Sequence, residues 1–324
     1  MLFRSAALAY AQDAADSAVA VRLGALGWYF ALADRISDGR RFVELSVSAT
    51  RDDAPLGLRV EQLADLCYLA TEELDHDAAL AAGERAVSLA ATAAGWQQGF
   101  ARLMLSLAVA QAGDVERAAE LAGDSAATFE ASGDDWGVAA TSIIRAIGSA
   151  QAGDVPSVRA LAAAARAHSD AIGYDAFRVP ALLLEGWAAE RGQDDAAAVE
   201  AYHRALEVAG LIDFGDHAAF ALTSLGANAL AKGDLREAEE LQRQALAASE
   251  AAEAAGVAAH ARVQLGHIAA ASGDAAGAER FYREVLEWSQ LQRPHQARES
   301  LFLALAGSPA TAARAGLEEI AAPA

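Results

Sequence analysis

Two histidines on one predicted helix come closest, by type and spacing, to a metal site. His260 and His267 are seven residues apart, which places them on the same face of a helix. Imidazole nitrogens are common zinc ligands, and two on one face could begin a site. The chain has no His-Glu-x-x-His sequence and no pair of cysteines. We therefore expect no metal and no cofactor, and we interpret both histidines as exposed or groove-lining.

Adjacent acidic residues are the next candidates for chemistry, because paired carboxylates can serve as general acid and base. Such pairs occur at 134–135, 194–195 and 239–240. All of them fall at predicted helix starts or on solvated helix faces, where capping explains them. The chain also lacks the Gly-x-Ser-x-Gly motif of nucleophilic serines. We therefore expect a protein that is not an enzyme.

The single cysteine, Cys67, indicates a reducing compartment, because one cysteine cannot form an intrachain disulfide. No Cys/His motif surrounds it, which favours a small buried thiol over a nucleophile. No run of about 18 apolar residues lacks a charge, and the N-terminus lacks the clean apolar run of a signal peptide. We expect a cytoplasmic protein without a membrane span.

The composition excludes several classes of partner. Of 324 residues, 45 are Asp or Glu and 25 are Lys or Arg, which gives a net charge of −20. Nucleic acids require a basic surface, and anionic membranes repel an acidic one. More than a quarter of the chain is alanine, a strong helix former, and only 6 residues are proline. The composition favours an acidic, mostly helical protein that binds neither nucleic acid nor membrane.

A repeat organises the whole chain. Aspartates recur at positions 38, 75, 114, 154, 194, 234 and 274, with spacings of 37, 39, 40, 40, 40 and 40 residues. Most follow a glycine, which can end a helix in the left-handed conformation, and the aspartate can then cap the next helix. Small residues also recur at one offset and would let paired helices approach closely. They are Cys67, Ser106, Ala146, Gly186, Gly226 and Gly266.

Each repeat therefore predicts a hairpin of a first helix, a tight turn and a second helix. The predicted first helices span 18–34, 56–72, 96–111, 135–150, 175–190, 214–230, 256–271 and 293–306. The predicted second helices span 38–50, 76–92, 114–131, 154–171, 194–209, 234–252, 274–290 and 308–321. A further helix is expected over 1–13. No linker interrupts the pattern, so we expect residues 1–324 to form a single continuous domain.

The residues from Leu225 to Ala238, with Gly226 and the Gly233-Asp234 step, resemble the tetratricopeptide repeat. The period of 40 is longer than the usual value of about 34. This longer form resembles the repeat region of large bacterial signalling ATPases, including maltose-activator-like and antibiotic-regulator-like transcription factors. The stretch 26–44 is similar to the start of such a region in actinobacterial regulators. The resemblance covers nearly the whole chain and implies an all-α, right-handed α-solenoid of about eight helical hairpins.

The chain also departs from those regulators. It has no Gly-x-x-x-x-Gly-Lys-Ser/Thr phosphate loop and no basic recognition helix. The resemblance therefore implies the sensor or scaffold part of a regulator, either cut from a longer protein or standing alone.

In tetratricopeptide superhelices, the first helices line the concave face. Carried over by position, the resemblance implies a partner-binding groove formed by Phe100, Leu103, Leu107, Trp187, Arg191, Phe220, His260 and His267. A contiguous exposed apolar face usually marks an interaction site. The longer hairpins could instead bury these positions in a tight core, and the sequence leaves both interpretations open.

One position of the repeat is leucine in most repeats but charged in two of them. Arg145 and Glu185 occupy it in neighbouring repeats. We expect them to pair with each other, although such a pair would be weak support for stability because desolvation offsets the attraction. The alternative is a polar contact to a ligand.

The function expected from these features is a non-enzymatic interaction or sensor module of a bacterial transcriptional regulator. It would bind a peptide, a protein segment or a small effector on its concave face, and bias the conformation of a partner domain by differential affinity. The alternative is a passive scaffold or oligomerisation module without an effector. A homo-oligomer is compatible with both.

Overall fold

The computed structural model describes residues 17–24, 36–93, 95–252, 254–291 and 306–321. These residues form fifteen α-helices, and no β-strand occurs among them. In chain order the helices are α1 Ser17–Gly24, α2 Ile36–Ala49, α3 Leu56–Glu72, α4 His76–Ala90, α5 Gly95–Gln111, α6 Val115–Ser132, α7 Asp135–Gln151, α8 Val155–Ile172, α9 Asp175–Arg191, α10 Asp195–Leu211, α11 Gly215–Ala231, α12 Leu235–Ala251, α13 Ala255–Ala271, α14 Ala275–Leu291 and α15 Pro309–Ala321.

The predicted all-α, tetratricopeptide-like solenoid is confirmed. The predicted bounds of the hairpin helices from residue 56 to residue 291 agree with the structure to within about two residues. The predicted helix over 1–13, almost all of the one over 293–306 and residues 25–34 of the first lie outside the described residues.

Neighbouring helices pack in the order that a solenoid requires. First helices pack against the next helix in the chain, which is the second helix of the same hairpin. This holds for α3, α5, α9, α11 and α13. First helices also pack against first helices of the next hairpin, as in α3 with α5 and α11 with α13.

The chain divides into two compact units, Met1–Ile144 and Arg145–Ala324, and the dividing point lies within α7. The expectation of one continuous domain stays a prediction.

The capping role predicted for the periodic aspartates is confirmed at six of the seven positions. In each case a carboxylate oxygen accepts a hydrogen bond from the backbone N–H three residues on, at 2.9–3.2 Å. The preceding residue is left-handed, with φ between 59° and 94°. Leu74 and Gln193 adopt this conformation without being glycine. The capping aspartates are Asp75, Asp114, Asp154, Asp194, Asp234 and Asp274.

Asp38 is the exception, and its predicted capping role is wrong. The structure describes helix α2 from Ile36 onwards, so Asp38 lies inside the helix rather than before it.

Replacing the capping residue Asp234 with alanine should lower the free energy of unfolding by about 1 kcal/mol, because the N–H of Glu237 loses its acceptor. In a solenoid the loosening should stay local. Hydrogen exchange should therefore rise first over residues 226–246. Glu237→Ala removes the same charge from the same turn without removing the cap, and should cost less. Uniform loosening along the chain would contradict this prediction.

The predicted close approach at the recurring small residues is also confirmed. A Cβ built on Gly186 would lie 2.5 Å from Cε1 of Tyr202 on the paired helix. At Cys67 the glycine lies on the second helix and the larger residue on the first. A Cβ built on Gly83 would lie 2.9 Å from the sulfur of Cys67. Cys67 is buried, and its burial raises the thiol pKa to about 12, so the packing interpretation holds.

Gly186→Ala should lower the free energy of unfolding by about 1–3 kcal/mol, because the methyl group must displace the buried Tyr202 ring. Gly148→Ala is the matched control, since Gly148 is also helical and has no atom within 4 Å of a built Cβ. The control should be neutral or stabilising by up to about 1 kcal/mol, from helix propensity. Equal effects of the two substitutions in urea unfolding would show that Tyr202 does not restrict this position.

Candidate functional site

In the unit Met1–Ile144, the predicted groove residues lie on helix α5. Phe100 is 5% exposed and Leu103 is 1% exposed, whereas Leu107 is half-buried. Phe100 stacks on Trp96 with 4.9 Å between ring centres, and its ring lies 5.9 Å from that of Trp136. Phe100 and Leu103 therefore belong to the packed interior, and only Leu107 of the three offers appreciable surface to a partner.

Phe129 explains why this aromatic cluster is packed so closely. Its ring is fully buried and makes edge contacts with Trp96 and Trp136. Gly99 and Gly137 face it, and a Cβ on either glycine would collide with the ring. Both glycines thus provide space for one aromatic side chain, which is a packing role and not a binding role.

In the unit Arg145–Ala324, Trp187 and Arg191 lie one turn apart on α9. The guanidinium carbon of Arg191 is 5.2 Å from the centre of the Trp187 ring, which is a cation–π contact. Arg191 is exposed, whereas Trp187 is 8% exposed and its indole nitrogen is buried without a hydrogen-bond partner among the described residues. Phe220, on α11, is buried as well.

The two histidines share a face of α13, as their spacing predicts, but differ in environment. His267 is half-buried, and its Nδ1 lies 2.8 Å from the hydroxyl of Tyr282 on α14. Nδ1 of His260 is buried without a partner among the described residues. Burial lowers the pKa of His260 to about 4, with the nearby His267 adding to the effect, and burial also lowers the pKa of His267. Both rings are therefore neutral at pH 7.

The expected pairing of Arg145 with Glu185 is wrong. Glu185 accepts a hydrogen bond from Nε of Arg166 at 2.7 Å, and this contact raises the pKa of Arg166. Arg145 is exposed. The reason is geometric, because Arg166 lies on helix α8, which packs directly against helix α9 of Glu185.

A cavity of about 460 Å³ lies beside Trp187 and Arg191. One wall comes from the end of α7 and the turn into α8, including Gln151 and Ala152. Another comes from the residues before α15, including Gly307. Of the predicted groove residues, this cavity brings together Trp187 and Arg191.

The sequence pattern did not single out Tyr282 or the residues before α15 as neighbours of predicted site residues. Tyr282 could have been found from Gly266, because the large residue on a second helix lies opposite a small one on the first. The position of Gly307 at the cavity has no comparable signal in the sequence, since Gly307 lies far along the chain from the other lining residues.

Two further findings concern the described residues as a whole. No group of three or more His, Cys, Asp or Glu side chains in these residues is placed to hold a metal ion. No helix within the described ranges is both long enough and apolar enough to cross a bilayer.

A sequence model of the tetratricopeptide repeat family matches residues 259–301 of the chain. No curated protein matches the chain.

Several solved structures share the fold. The apo form of RapI is 14% identical, with a TM-score of 0.62 over 82% of this chain and 95% of that one. A Rap protein complexed with competence and sporulation factor is 12% identical, with a TM-score of 0.60 over 86% of this chain and 77% of that one. At these identities the similarity establishes a common fold.

A third structure belongs to a multidomain protein. It is the signal transduction ATPase with numerous domains PH0952 from Pyrococcus horikoshii, which has a tetratricopeptide repeat sensor. It is 13% identical, with a TM-score of 0.63, and the similarity covers 88% of this chain and 44% of that one. The chain thus corresponds in length to less than half of this ATPase.

Proposed function

We propose that the chain is a non-enzymatic, cytoplasmic interaction or sensor module of a bacterial transcriptional regulator. It binds a peptide, a protein segment or a small effector on the inward face of its first helices, and the bound state biases a partner domain. Helical hairpin repeats are typical of interaction modules. Of the similar structures, one is named as a Rap protein in complex with a factor, and another is named as an ATPase with a repeat sensor.

The observation that carries the proposal is the cavity at the end of first helix α9. It places an exposed arginine and a tryptophan ring side by side, and this combination is enriched at protein interaction sites. The capping aspartates and the facing small residues are explained by the fold, whereas an exposed arginine above an aromatic ring is not required by it.

The test is to select binders from a random peptide display library on the full chain and measure their dissociation constants by fluorescence anisotropy. Ala110→Arg and Gln151→Arg place a bulky charge at exposed positions of first helices α5 and α7 that the tetratricopeptide resemblance assigns to the inward, concave face. Ala163→Arg makes a comparable change at an exposed position of second helix α8 and is the control. We expect at least one inward variant to bind ten-fold more weakly, with the control unchanged.

The alternative, a passive scaffold or oligomerisation module, predicts a different result. Selected peptides would be absent or insensitive to the inward substitutions, while sedimentation velocity would show concentration-dependent self-association of the chain. That result would refute binding on the inward face.

A further inference from the structure

The cavity beside α9 contains a positive charge that the protein itself does not neutralise. Glu190, the acid next to Arg191 in the chain, accepts a hydrogen bond from the Tyr202 hydroxyl at 3.0 Å. Among the residues that the structure describes, Arg191 forms no ion pair, and the cavity lining includes no acidic side chain. Among the described lining residues of this cavity, Arg191 carries the only charge, in a chain whose net charge is −20.

The contact with Trp187 prepares Arg191 for a specific kind of ligand. The cation–π contact engages the charge of the guanidinium, and no described residue accepts a hydrogen bond from its N–H donors, so these donors stay available to a ligand. Those donors match the two oxygens of a carboxylate. Because the ring already restricts the arginine side chain, less conformational entropy is lost when a ligand binds.

The remaining walls are formed mainly by small, uncharged residues. Ala150, Ala152 and Gly307 contribute no charge, and Gln151 supplies one amide that can donate or accept. The volume of about 460 Å³ falls within the range of about 300–1,000 Å³ for small-molecule sites. The indole nitrogen of Trp187 is buried from solvent, so polar recognition falls to Arg191 and Gln151.

We propose that this cavity binds a small organic carboxylate, whose carboxyl group pairs with Arg191 and whose apolar part lies against the alanine and glycine walls. This inference rests on the proposed function, in which the inward face binds a ligand, and it names the chemical class of that ligand at one site.

Binding at this site also involves the C-terminal helix. Gly307, in the cavity wall, lies just before α15. Helix α15 is fixed to α13 and α14 by Tyr282, whose ring faces both Gly266 and Gly316, and by the buried Ala313. A ligand that contacts Gly307 therefore favours the docked position of α15, and this coupling provides a second measurement of binding.

The experiment uses the full chain and a panel of small aromatic and aliphatic carboxylic acids, each with its primary amide as a neutral partner. Ligand-observed NMR gives the dissociation constants, and hydrogen exchange reports on residues 309–321. We expect some acids to bind at least ten-fold more tightly than their amides. Saturation with such an acid should slow exchange in α15.

Three substitutions locate the site. Arg191→Gln should weaken acid binding at least ten-fold. Arg145→Gln removes an exposed arginine that does not line the cavity and should leave binding unchanged. Ala152→Phe fills the cavity from an exposed wall position and should abolish binding while leaving Arg191 in place.

Acids that bind no better than amides, or binding that persists in Arg191→Gln, would overturn this inference. If displayed peptides bind the inward face but acids do not, the proposed function stands and the carboxylate site is wrong. If acids bind through Arg191 and no peptide is selected, the carboxylate site stands and the peptide part of the proposed function is wrong.

Discussion

Replacing Phe220 with alanine is expected to lower the free energy of unfolding by about 3–5 kcal/mol, the usual cost of deleting a buried aromatic ring. Phe220 lies on α11 and is almost fully buried. Trp187→Ala should fall in the same range, because its ring is also largely buried. Urea unfolding measures both changes.

Trp187→Phe distinguishes the contribution of the packed aromatic ring to stability from that of the indole N–H. It keeps most of the packed surface and removes an indole N–H that is buried without a partner among the described residues. It should therefore cost much less than Trp187→Ala, because the desolvation penalty of an unpaired donor is lifted. Arg191→Gln, at an exposed position, is the control and should change the free energy of unfolding by no more than about 0.5 kcal/mol.

These variants decide between the two interpretations that the sequence left open for the inward positions. Alanine variants that stay as stable as the parent would mean that the aromatic rings are exposed in solution, in contradiction to the structure. A large loss of stability would place Phe220 in the core and restrict any partner to accessible positions such as Leu107 and Arg191.

The fold was predictable because its determinants are local. A glycine or left-handed residue followed by a capping aspartate marks each turn, and a period of 40 residues repeats that signal. Asp38 shows the limit of this reasoning, since a residue in register is not a cap when its helix begins earlier. The pattern specifies the spacing but not the first residue of each helix.

The candidate site was less predictable, because an apolar residue facing a groove and one facing the core have the same spacing. The resemblance assigns Phe100 and Arg191 to one groove by position, yet Phe100 is packed in the interior and Arg191 is exposed. Only the side chains on neighbouring helices make the difference. The partner of Glu185 was missed for the same reason, because Arg166 lies on another helix and follows no recurring offset.

Acidification is expected to destabilise the protein through His260. Its folded-state pKa is about 4, against an ordinary value of about 6.5, because burial disfavours the charged ring. The unfolded chain therefore binds the proton more readily between these two values. The free energy of unfolding is unaffected by this group above pH 6.5, falls as the pH decreases towards 4, and changes no further below that.

The expected size of this effect is about 3 kcal/mol over the whole window, at about 1.4 kcal/mol per unit of pKa difference. The lowered pKa of His267 acts in the same direction, although the nearby Glu319 opposes it. Measurements between pH 7.5 and 5.5 avoid the titration of most carboxylates, and there the contribution of His260 should reach about 1.4 kcal/mol at the lower limit.

His260→Phe tests the assignment, because it keeps a planar ring and removes both the titrating group and the unpaired Nδ1. The variant should be at least as stable as the parent protein at pH 7.5 and should lose less stability on acidification. His203→Gln, on the exposed face of α10, is the control for removing one histidine. If His260→Phe and the parent lose the same free energy of unfolding between pH 7.5 and 5.5, then His260 does not titrate differently in the folded and unfolded states, and the acid sensitivity of this unit must come from other groups.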